Sequence, residues 1–206
     1  MRYFILLFVV ASAGCITEPA PETPCPISAA VAVDIDGTLT LSNNEFLSQL
    51  QDETYTPLMR PDANTLLQHY ADKGYKMAYV TGRGTGQELP DGTRARRATQ
   101  EWLDLHNFPT GPLYLHDGPP ASAEQAVDYK SGALEELQAK MYRFEHAYGD
   151  TPSDIEAFIN VGIPNDEIYM IGRPAGALKV QEITDEDAYT NHLAEQSQAL
   201  PIAPCD

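Results

Sequence analysis

Short apolar runs alternate along the chain with longer stretches in which apolar residues recur every three or four positions. The runs are continuous, as in strands of a parallel sheet that are covered on both faces. They span residues 29–33, 75–80, 108–115 (a turn and then a strand), 144–148 and 168–171. The longer stretches have the period of amphipathic helices. They span residues 62–72, 94–106, 131–143 and 152–161, with a shorter helix at 45–50.

Strands that alternate with helices predict an α/β fold. We expect a Rossmann-like parallel sheet of five strands or slightly more, with helices on both of its faces. Because ligands of such sheets bind beyond the carboxyl ends of the strands, a functional site should lie at that edge. The connections after the first and third strands are too short to hold a large cap domain over it.

The amino-terminal segment is expected to direct export. Residues 1–14 have one early positive charge, an apolar core and small residues before a cysteine, as in a secretory signal peptide. The sequence Ser12-Ala13-Gly14-Cys15 resembles a bacterial lipoprotein cleavage box, which implies removal of residues 1–14 and acylation of Cys15. We expect a membrane-anchored lipoprotein of the bacterial periplasm or cell surface. Soluble secretion is the alternative, because Ser12 replaces the usual aliphatic residue.

Two further cysteines flank the folded domain that we expect at residues 29–206. Residues 15–28 are rich in proline and predict an extended tether in front of it. Cys25 lies in this tether and Cys205 is the second-last residue. Since paired cysteines of exported proteins form disulfides, we predict a Cys25–Cys205 disulfide that joins the two ends of the domain. Two free surface thiols are the alternative.

The chain is strongly acidic. Its net charge is −17 with histidine neutral, and its isoelectric point is about 4.5. A negative surface opposes binding to nucleic acid and electrostatic contact with an anionic membrane. We therefore expect no nucleic-acid partner. Membrane contact is expected through the lipid anchor, and the protein is expected to be a monomer.

Two acids follow the first strand. Asp34 and Asp36 are two residues apart, so their side chains point to the same side of the strand. Carboxylates this close resist joint ionisation, so that one of them is protonated or the pair holds a cation. An ordinary turn is the alternative, since Asp36-Gly37 is a common turn dipeptide.

Other polar groups follow the later strands, at the edge of the sheet where parallel strands end together. They are Thr81-Gly82-Arg83-Gly84 after the second strand, Lys130 before the predicted helix 131–143, and Asp150 with Asp154 after the fourth strand. Each has a plainer explanation. Lys130 could be a solvated surface residue, Asp150 a helix N-cap, and the glycines a structural loop that lacks the Gly-Lys-Ser/Thr end of a P-loop.

Taken in order, these groups resemble the four motifs of the haloacid dehalogenase (HAD) superfamily. The motifs are Asp34-x-Asp36-Gly37-Thr38, Thr81, Lys130 and Gly149-Asp150-x-x-x-Asp154, and the resemblance spans roughly residues 29–175. It implies a HAD fold and a phosphatase. Asp34 would attack phosphorus and become an aspartyl phosphate, while Asp36 would protonate the leaving alkoxide and then activate water.

The resemblance also implies a metal and a phosphate site. Mg²⁺ fits the carboxylate of Asp34 with that of Asp150 or Asp154, together with the backbone carbonyl of Asp36. Three groups are expected to hold phosphate oxygens and developing charge. They are the ammonium of Lys130, the hydroxyl of Thr81 and the amide of Gly82. Arg83 is expected to bind substrate beside them.

Finer features resemble the catalytic domain of lipin-type phosphatidate phosphatases, which hydrolyse phosphatidate to diacylglycerol with Mg²⁺. These features are Arg83 with its glycines, Thr93-Arg94, Pro109-Thr-Gly-Pro112, Tyr129-Lys130, and Val161-Gly-Ile-Pro164 followed by Ile168-Tyr169. The chain departs from that pattern at Thr81, where lipins carry serine, and at Asp150, where they carry asparagine. A phosphomonoester substrate is implied, with a membrane phospholipid as the leading expectation.

Two alternatives remain open. One is an exported phosphatase of soluble or polymeric phosphomonoesters, such as nucleotides, sugar phosphates or nucleic-acid ends. The other is a catalytically silent module whose acids bind a metal or a partner, although the intact set of motif acids argues against it. A site without a cap suits a lipid head group and a polymer end equally.

Overall fold

Six parallel strands form one sheet in a computed structural model that describes residues 26–183 and 188–205. The strands are β1 (Ser28–Val33), β2 (Lys76–Gly84), β3 (Leu113–His116), β4 (Tyr142–Gly149), β5 (Ile168–Ile171) and β6 (Gln181–Ile183). Their order is β3-β2-β1-β4-β5-β6, and every neighbouring pair is parallel. The predicted Rossmann-like α/β sheet is therefore confirmed.

Helices cover both faces of this sheet. They are α1 (Glu45–Gln51), α2 (Ala63–Asp72), α3 (Ala95–Leu105), α4 (Ala123–Ala139), α5 (Pro152–Asn160) and α6 (Ala188–Ala199), with short 3₁₀ turns at Asn165–Glu167 and Gly176–Leu178. Val31 and Val33 of β1 pack with α2, α3 and α6, while Ala30 and Ala32 pack with α4 and α5 on the opposite face. This burial on both sides explains the continuous apolar run of β1.

The order in which strands are added to the sheet reverses at β1. From β1 it proceeds through β2 to β3 on one side, and then returns through α4 to β4 on the other side. Such a reversal leaves a crevice beyond the carboxyl ends of the two central strands, which here are β1 and β4. Among the described residues, only α1 and α2 separate β1 from β2, and only α4 separates β3 from β4, so no cap domain covers the crevice.

The α4 helix begins and ends earlier than predicted. It runs from Ala123 to Ala139 instead of 131–143, so Lys130 lies in its middle rather than before its start. A capping box explains the early start, because Ser122 Oγ accepts a bond from the Gln125 N–H while the Gln125 side chain accepts one from the Ser122 N–H. The chain then turns at Met141, with a φ of 67°, and β4 begins sooner than predicted.

The β2 strand is longer than predicted, because it includes the segment Thr81–Gly84 that was expected to form a glycine loop. Its register with β3 shifts between Thr81 and Gly84, as at a β-bulge. A Cβ at position 84 would lie 2.3 Å from the carbonyl carbon of Pro119. Gly84 therefore lets the loop after β3 approach the strand closely, which brings Ala121 to the wall of the crevice.

The last strand and helix were not predicted. The β6 strand has only three residues, two of them exposed, so it lacks an apolar run. In α6, Tyr189 and His192 are buried. Tyr189 Oη donates to the Thr38 carbonyl at 3.2 Å, which ties α6 to the turn after β1.

Several expectations fall on residues that the structure does not describe. The signal segment 1–14, the lipidation site Cys15 and Cys25 lie outside the described residues. Cys205 is disulfide-bonded, as expected for that residue, while its pairing with Cys25 stays a prediction. In residues 26–183 and 188–205, no helix combines the length and the apolar character that a membrane crossing requires.

Candidate active site

The turn after β1 places both acids of the first motif at the crevice. Gly37 has a φ of 74°, a conformation that residues with a Cβ disfavour. A Cβ there would also lie 2.5 Å from Asp150 Oδ2, so that glycine is needed for the close approach of the β4 loop. Asp34 and Asp36 both line the cavity that results.

Arg60, in the loop before α2, holds this turn. Its buried guanidinium donates to the backbone carbonyls of Gly37 at 2.6 Å, Thr38 at 3.3 Å and Leu41 at 3.2 Å. These bonds fix the backbone that carries the two acids. Arg60 was not predicted from the sequence, because a single arginine in a loop belongs to no motif.

Lys130 joins Asp34 to Asp154. Its Nζ lies 2.5 Å from Oδ1 of each carboxylate, and all three side chains are buried, which rules out a solvated Lys130. Burial raises the pKa of Asp34 well above its usual value, against the opposing effect of Lys130. Burial lowers the pKa of Lys130, but the carboxylates of Asp154 and Asp34 outweigh this effect and raise it. Lys130 is therefore a buried cation that bridges the carboxylates of Asp34 and Asp154.

The Asp154 carboxylate accepts hydrogen bonds from the start of α5. Thr151, not Asp150, is the N-cap of this helix, and a capping box links Thr151 and Asp154. Asp154 Oδ2 accepts bonds from the Thr151 N–H at 2.9 Å and the Thr151 hydroxyl at 2.7 Å. Since its other oxygen accepts from Lys130, Asp154 orients the lysine as well as the helix.

Asp150 has a free oxygen. Its Oδ2 accepts from Asn43 Nδ2 at 2.6 Å and from Arg173 Nη2 at 3.3 Å, while its buried Oδ1 has no hydrogen-bond partner. Burial and the charge of Asp154 raise the pKa of Asp150 to about 6. A buried carboxylate oxygen without a donor is suited to a cation.

These acids fit a divalent metal. Asp34, Asp150 and Asp154 each place one carboxylate oxygen within 4.8 Å of the others. Three buried carboxylates with an unpartnered oxygen match the oxygen ligands that Mg²⁺ prefers. Among the described residues, the Asp36 carboxylate does not belong to this cluster of three acids. The sequence predicts that Asp36 binds the metal through its backbone carbonyl instead.

Asp36 is engaged by other residues. Arg83 donates to it through Nε and Nη2, each at 2.8 Å, and the Thr81 hydroxyl lies 3.4 Å from its Oδ2. The Asp36 side chain is 21% exposed, whereas that of Arg83 is 2% exposed. Arg83, which was predicted to bind substrate, is therefore paired with the predicted acid–base residue.

An open cavity of about 800 Å³ contains all the predicted site residues. They are Asp34, Asp36, Thr81, Gly82, Arg83, Lys130, Asp150 and Asp154. Part of the wall is apolar and consists of Phe46, Pro120, Ala121, Ala123, Ala126 and Val127. Arg173 also lines the cavity, and its position two residues after the end of β5 is a signal that could have identified it. Asn43 had no such signal.

The chain matches a known domain family in sequence. The family model described as PITM 1-3, LNS2 domain, matches residues 31–172. Membrane-associated phosphatidylinositol transfer protein 3 of Homo sapiens is 32% identical over 139 residues, which are 67% of this chain and 13% of that protein. The chain therefore corresponds to a small part of this relative.

Solved structures agree with the HAD fold. A HAD-like protein of Mesorhizobium loti has a TM-score of 0.54 and 15% identity, over 82% of this chain and 86% of that one. A phosphoserine phosphatase has a TM-score of 0.51 and 13% identity, over 84% of this chain and 98% of that one. At these identities the likeness shows the fold alone. The fold and the sequence match together establish that the chain belongs to the PITM 1-3 LNS2 domain family and has a HAD fold.

Proposed function

We propose that this domain is a Mg²⁺-dependent phosphomonoester hydrolase that forms an aspartyl phosphate on Asp34. The arrangement of its two acids carries the proposal. Asp34 is buried beside Lys130 and belongs to the cluster of three carboxylates, whereas Asp36 is partly exposed to the same cavity and lies outside that cluster. A nucleophile and a separate proton carrier are the two groups that such a hydrolase needs.

In the first step, an Asp34 carboxylate oxygen attacks phosphorus, and the bond between phosphorus and the leaving oxygen breaks. The leaving oxygen keeps the electron pair and takes the proton of Asp36. Lys130, together with the Thr81 hydroxyl and the Gly82 amide, binds phosphate oxygens and stabilises the developing charge. Asp34 and Asp150 would hold Mg²⁺, which would supply neutralisation of the phosphate charge.

In the second step, water attacks the phosphorus of the aspartyl phosphate. Asp36, now a carboxylate, takes a proton from this water as the bond between phosphorus and the Asp34 oxygen breaks. Inorganic phosphate leaves and both acids return to their starting states. Because Asp36 faces the open cavity, both the leaving group and the water can reach it.

For the substrate, we propose phosphatidate or a similar phospholipid. The apolar part of the cavity wall and the absence of a cap over the described site suit a leaving group embedded in lipid. A relative's name, membrane-associated phosphatidylinositol transfer protein, agrees with a lipid context. The proposed export of the chain and its anchoring through Cys15 would hold the domain at a membrane.

A panel of phosphomonoesters tests this function. Phosphate release is measured with Mg²⁺ on phosphatidate in mixed micelles, on nucleotides and on sugar phosphates. We expect the highest kcat/KM on phosphatidate, and loss of activity with a chelator or in Asp34→Asn. Asp104→Asn, an exposed carboxylate change on α3, is the matched control and should keep full activity. Release that persists in Asp34→Asn would overturn the mechanism, and faster hydrolysis of soluble esters would overturn the lipid substrate.

A further inference from the structure

We propose that Arg83 is a positioning residue that holds the Asp36 carboxyl group for proton transfer, rather than a residue that binds the phosphate. This inference rests on the proposed phosphatase function. It differs from the expectation drawn from the sequence, in which Arg83 contacts substrate.

Every nitrogen of the Arg83 guanidinium has a protein partner. Nε donates to Asp36 Oδ2 and Nη2 donates to Asp36 Oδ1, so the planar guanidinium meets the planar carboxylate through two parallel bonds. Nη1 donates to the Thr99 hydroxyl at 2.8 Å. That hydroxyl in turn donates to the Ala95 carbonyl at 2.7 Å, which fixes the guanidinium to the first turns of α3.

A ring also covers the guanidinium. The centroid of Phe46 in α1 lies 4.0 Å from the Arg83 Cζ, at the distance of a cation–π contact. With this ring and its three polar partners, the Arg83 side chain is only 2% exposed. A phosphate that displaced these partners would remove both guanidinium bonds from the Asp36 carboxylate. Arg83 is therefore fixed to Asp36, α1 and α3.

The pairing still leaves Asp36 able to carry a proton. A carboxylate has about four lone-pair sites, and Arg83 occupies one on each oxygen. The Asp36 side chain keeps 21% of its surface exposed toward the cavity. The two bonds therefore restrict rotation of the carboxyl group while one face remains accessible. Lysine cannot reproduce this geometry, because an ammonium is a point charge rather than a fork.

Two substrates whose leaving groups differ in basicity distinguish a defect in proton transfer from a defect in phosphate binding. Benzyl phosphate releases a basic alkoxide that needs the Asp36 proton, whereas p-nitrophenyl phosphate releases a stable anion that does not. The value of kcat/KM reports the steps through the first loss of the leaving group, so it registers this difference. General acid catalysis contributes about 10²–10⁴-fold to such a step.

The experiment measures kcat and KM with Mg²⁺ for wild type, Arg83→Gln, Arg83→Lys and Asp36→Asn. We expect both Arg83 variants to lower kcat/KM by about 100-fold on benzyl phosphate and by less than about fivefold on p-nitrophenyl phosphate, without a raised KM on either ester. Thermal unfolding establishes that each variant folds. Arg97→Gln, at an exposed arginine of α3, is the matched control and should behave as wild type.

A double-mutant cycle completes the test. If Arg83 acts through Asp36, then Arg83→Gln has no further effect on either substrate in an Asp36→Asn background. Equal losses on both substrates, a raised KM, or additive losses in the double variant would overturn the positioning role while the proposed phosphatase stands. A wild-type protein that hydrolyses neither ester nor any member of the panel would overturn the proposed function, and this inference with it.

Discussion

At the scale of single residues, Asp150 and Asp154 differ in their hydrogen bonding, although the sequence motif does not distinguish them. Asp154 is saturated by Lys130 and by the start of α5, whereas Asp150 keeps a buried oxygen without a donor. Asp150 is therefore the better candidate for a direct ligand of the proposed metal. Its other oxygen accepts a hydrogen bond from Asn43, which would be an outer partner of the proposed metal site.

Asn43 provides a test of this metal site. Loss of an outer partner typically lowers metal affinity about 10- to 100-fold, so Asn43→Ala should weaken Mg²⁺ binding by about tenfold in calorimetric titration. Asn44→Ala is the matched control, because the Asn44 side chain makes no capping bond at α1. Equal Mg²⁺ affinities of the two variants would show that Asn43 does not orient a ligand.

The residues of the site were predictable to different degrees. Asp34, Asp36, Lys130 and Asp150 follow from motif order, since strand ends of a parallel sheet meet at one edge. The pairing of Arg83 with Asp36 was not predictable, because it depends on the bulge that aims the end of β2. Arg60 acts through backbone carbonyls, and such contacts leave no pattern in the sequence.

At the scale of elements, the start of α5 connects helix stability to the site. The Thr151 hydroxyl accepts from the Asp154 N–H and donates to the Asp154 carboxylate. A cap of this kind stabilises a helix and here also places the acid that holds Lys130. The α4 helix has a similar capping box at Ser122, but Ser122 contacts none of the proposed catalytic groups.

Substitutions of the two N-cap hydroxyls form a matched pair of variants. Thr151→Ala and Ser122→Ala should each lower the free energy of unfolding by about 1 kcal/mol, since each removes an N-cap hydroxyl. Only Thr151→Ala should also lower kcat, because Asp154 loses a donor. Urea unfolding and steady-state kinetics measure the two effects. A rate loss of similar size in Ser122→Ala would mean that helix stability alone explains the change.

Element boundaries show where sequence reasoning succeeds. The predicted strand at 168–171 coincides with β5, because it is a short apolar run between polar turns. The start of α4 was missed even though Ser122-x-x-Gln125 is a readable capping signature. Its first turn lacks an apolar face, so periodicity placed the helix too late. The three-residue β6 is held by pairing with β5, which no local pattern reveals.

At the scale of the whole molecule, α6 closes one face of the sheet through a buried polar chain. His192 Nε2 and the Tyr148 hydroxyl are hydrogen-bonded at 2.8 Å, and Tyr148 and Tyr70 share a second bond of 2.8 Å. This chain links α6 to β4 and α2 across the core. Burial lowers the pKa of His192 to about 4.

This buried histidine makes stability depend on pH. Between pH 6.5 and about 4 the unfolded histidine binds a proton that the folded one does not, so its contribution is intact above pH 6.5 and is lost as pH falls toward 4. For a pKa lowered from 6.5 to about 4, the loss is on the order of 3 kcal/mol. Urea unfolding of wild type and His192→Gln should show a stability difference that changes over this window, beyond the effect of His146, which both proteins retain. A difference that is constant with pH would contradict the buried neutral state.

The proposed mechanism requires that Asp34 becomes phosphorylated. Its most direct measurement is acid quenching of the Asp36→Asn variant with p-nitrophenyl phosphate and Mg²⁺, followed by mass analysis of the peptide that contains Asp34. The variant should form the intermediate, because this leaving group needs no proton, and should hydrolyse it slowly, because the base is missing. We predict one added phosphoryl group on Asp34, absent when Asp34→Asn is combined with Asp36→Asn. Release of p-nitrophenol with an unmodified Asp34, or a phosphoryl group on another residue, would contradict the account.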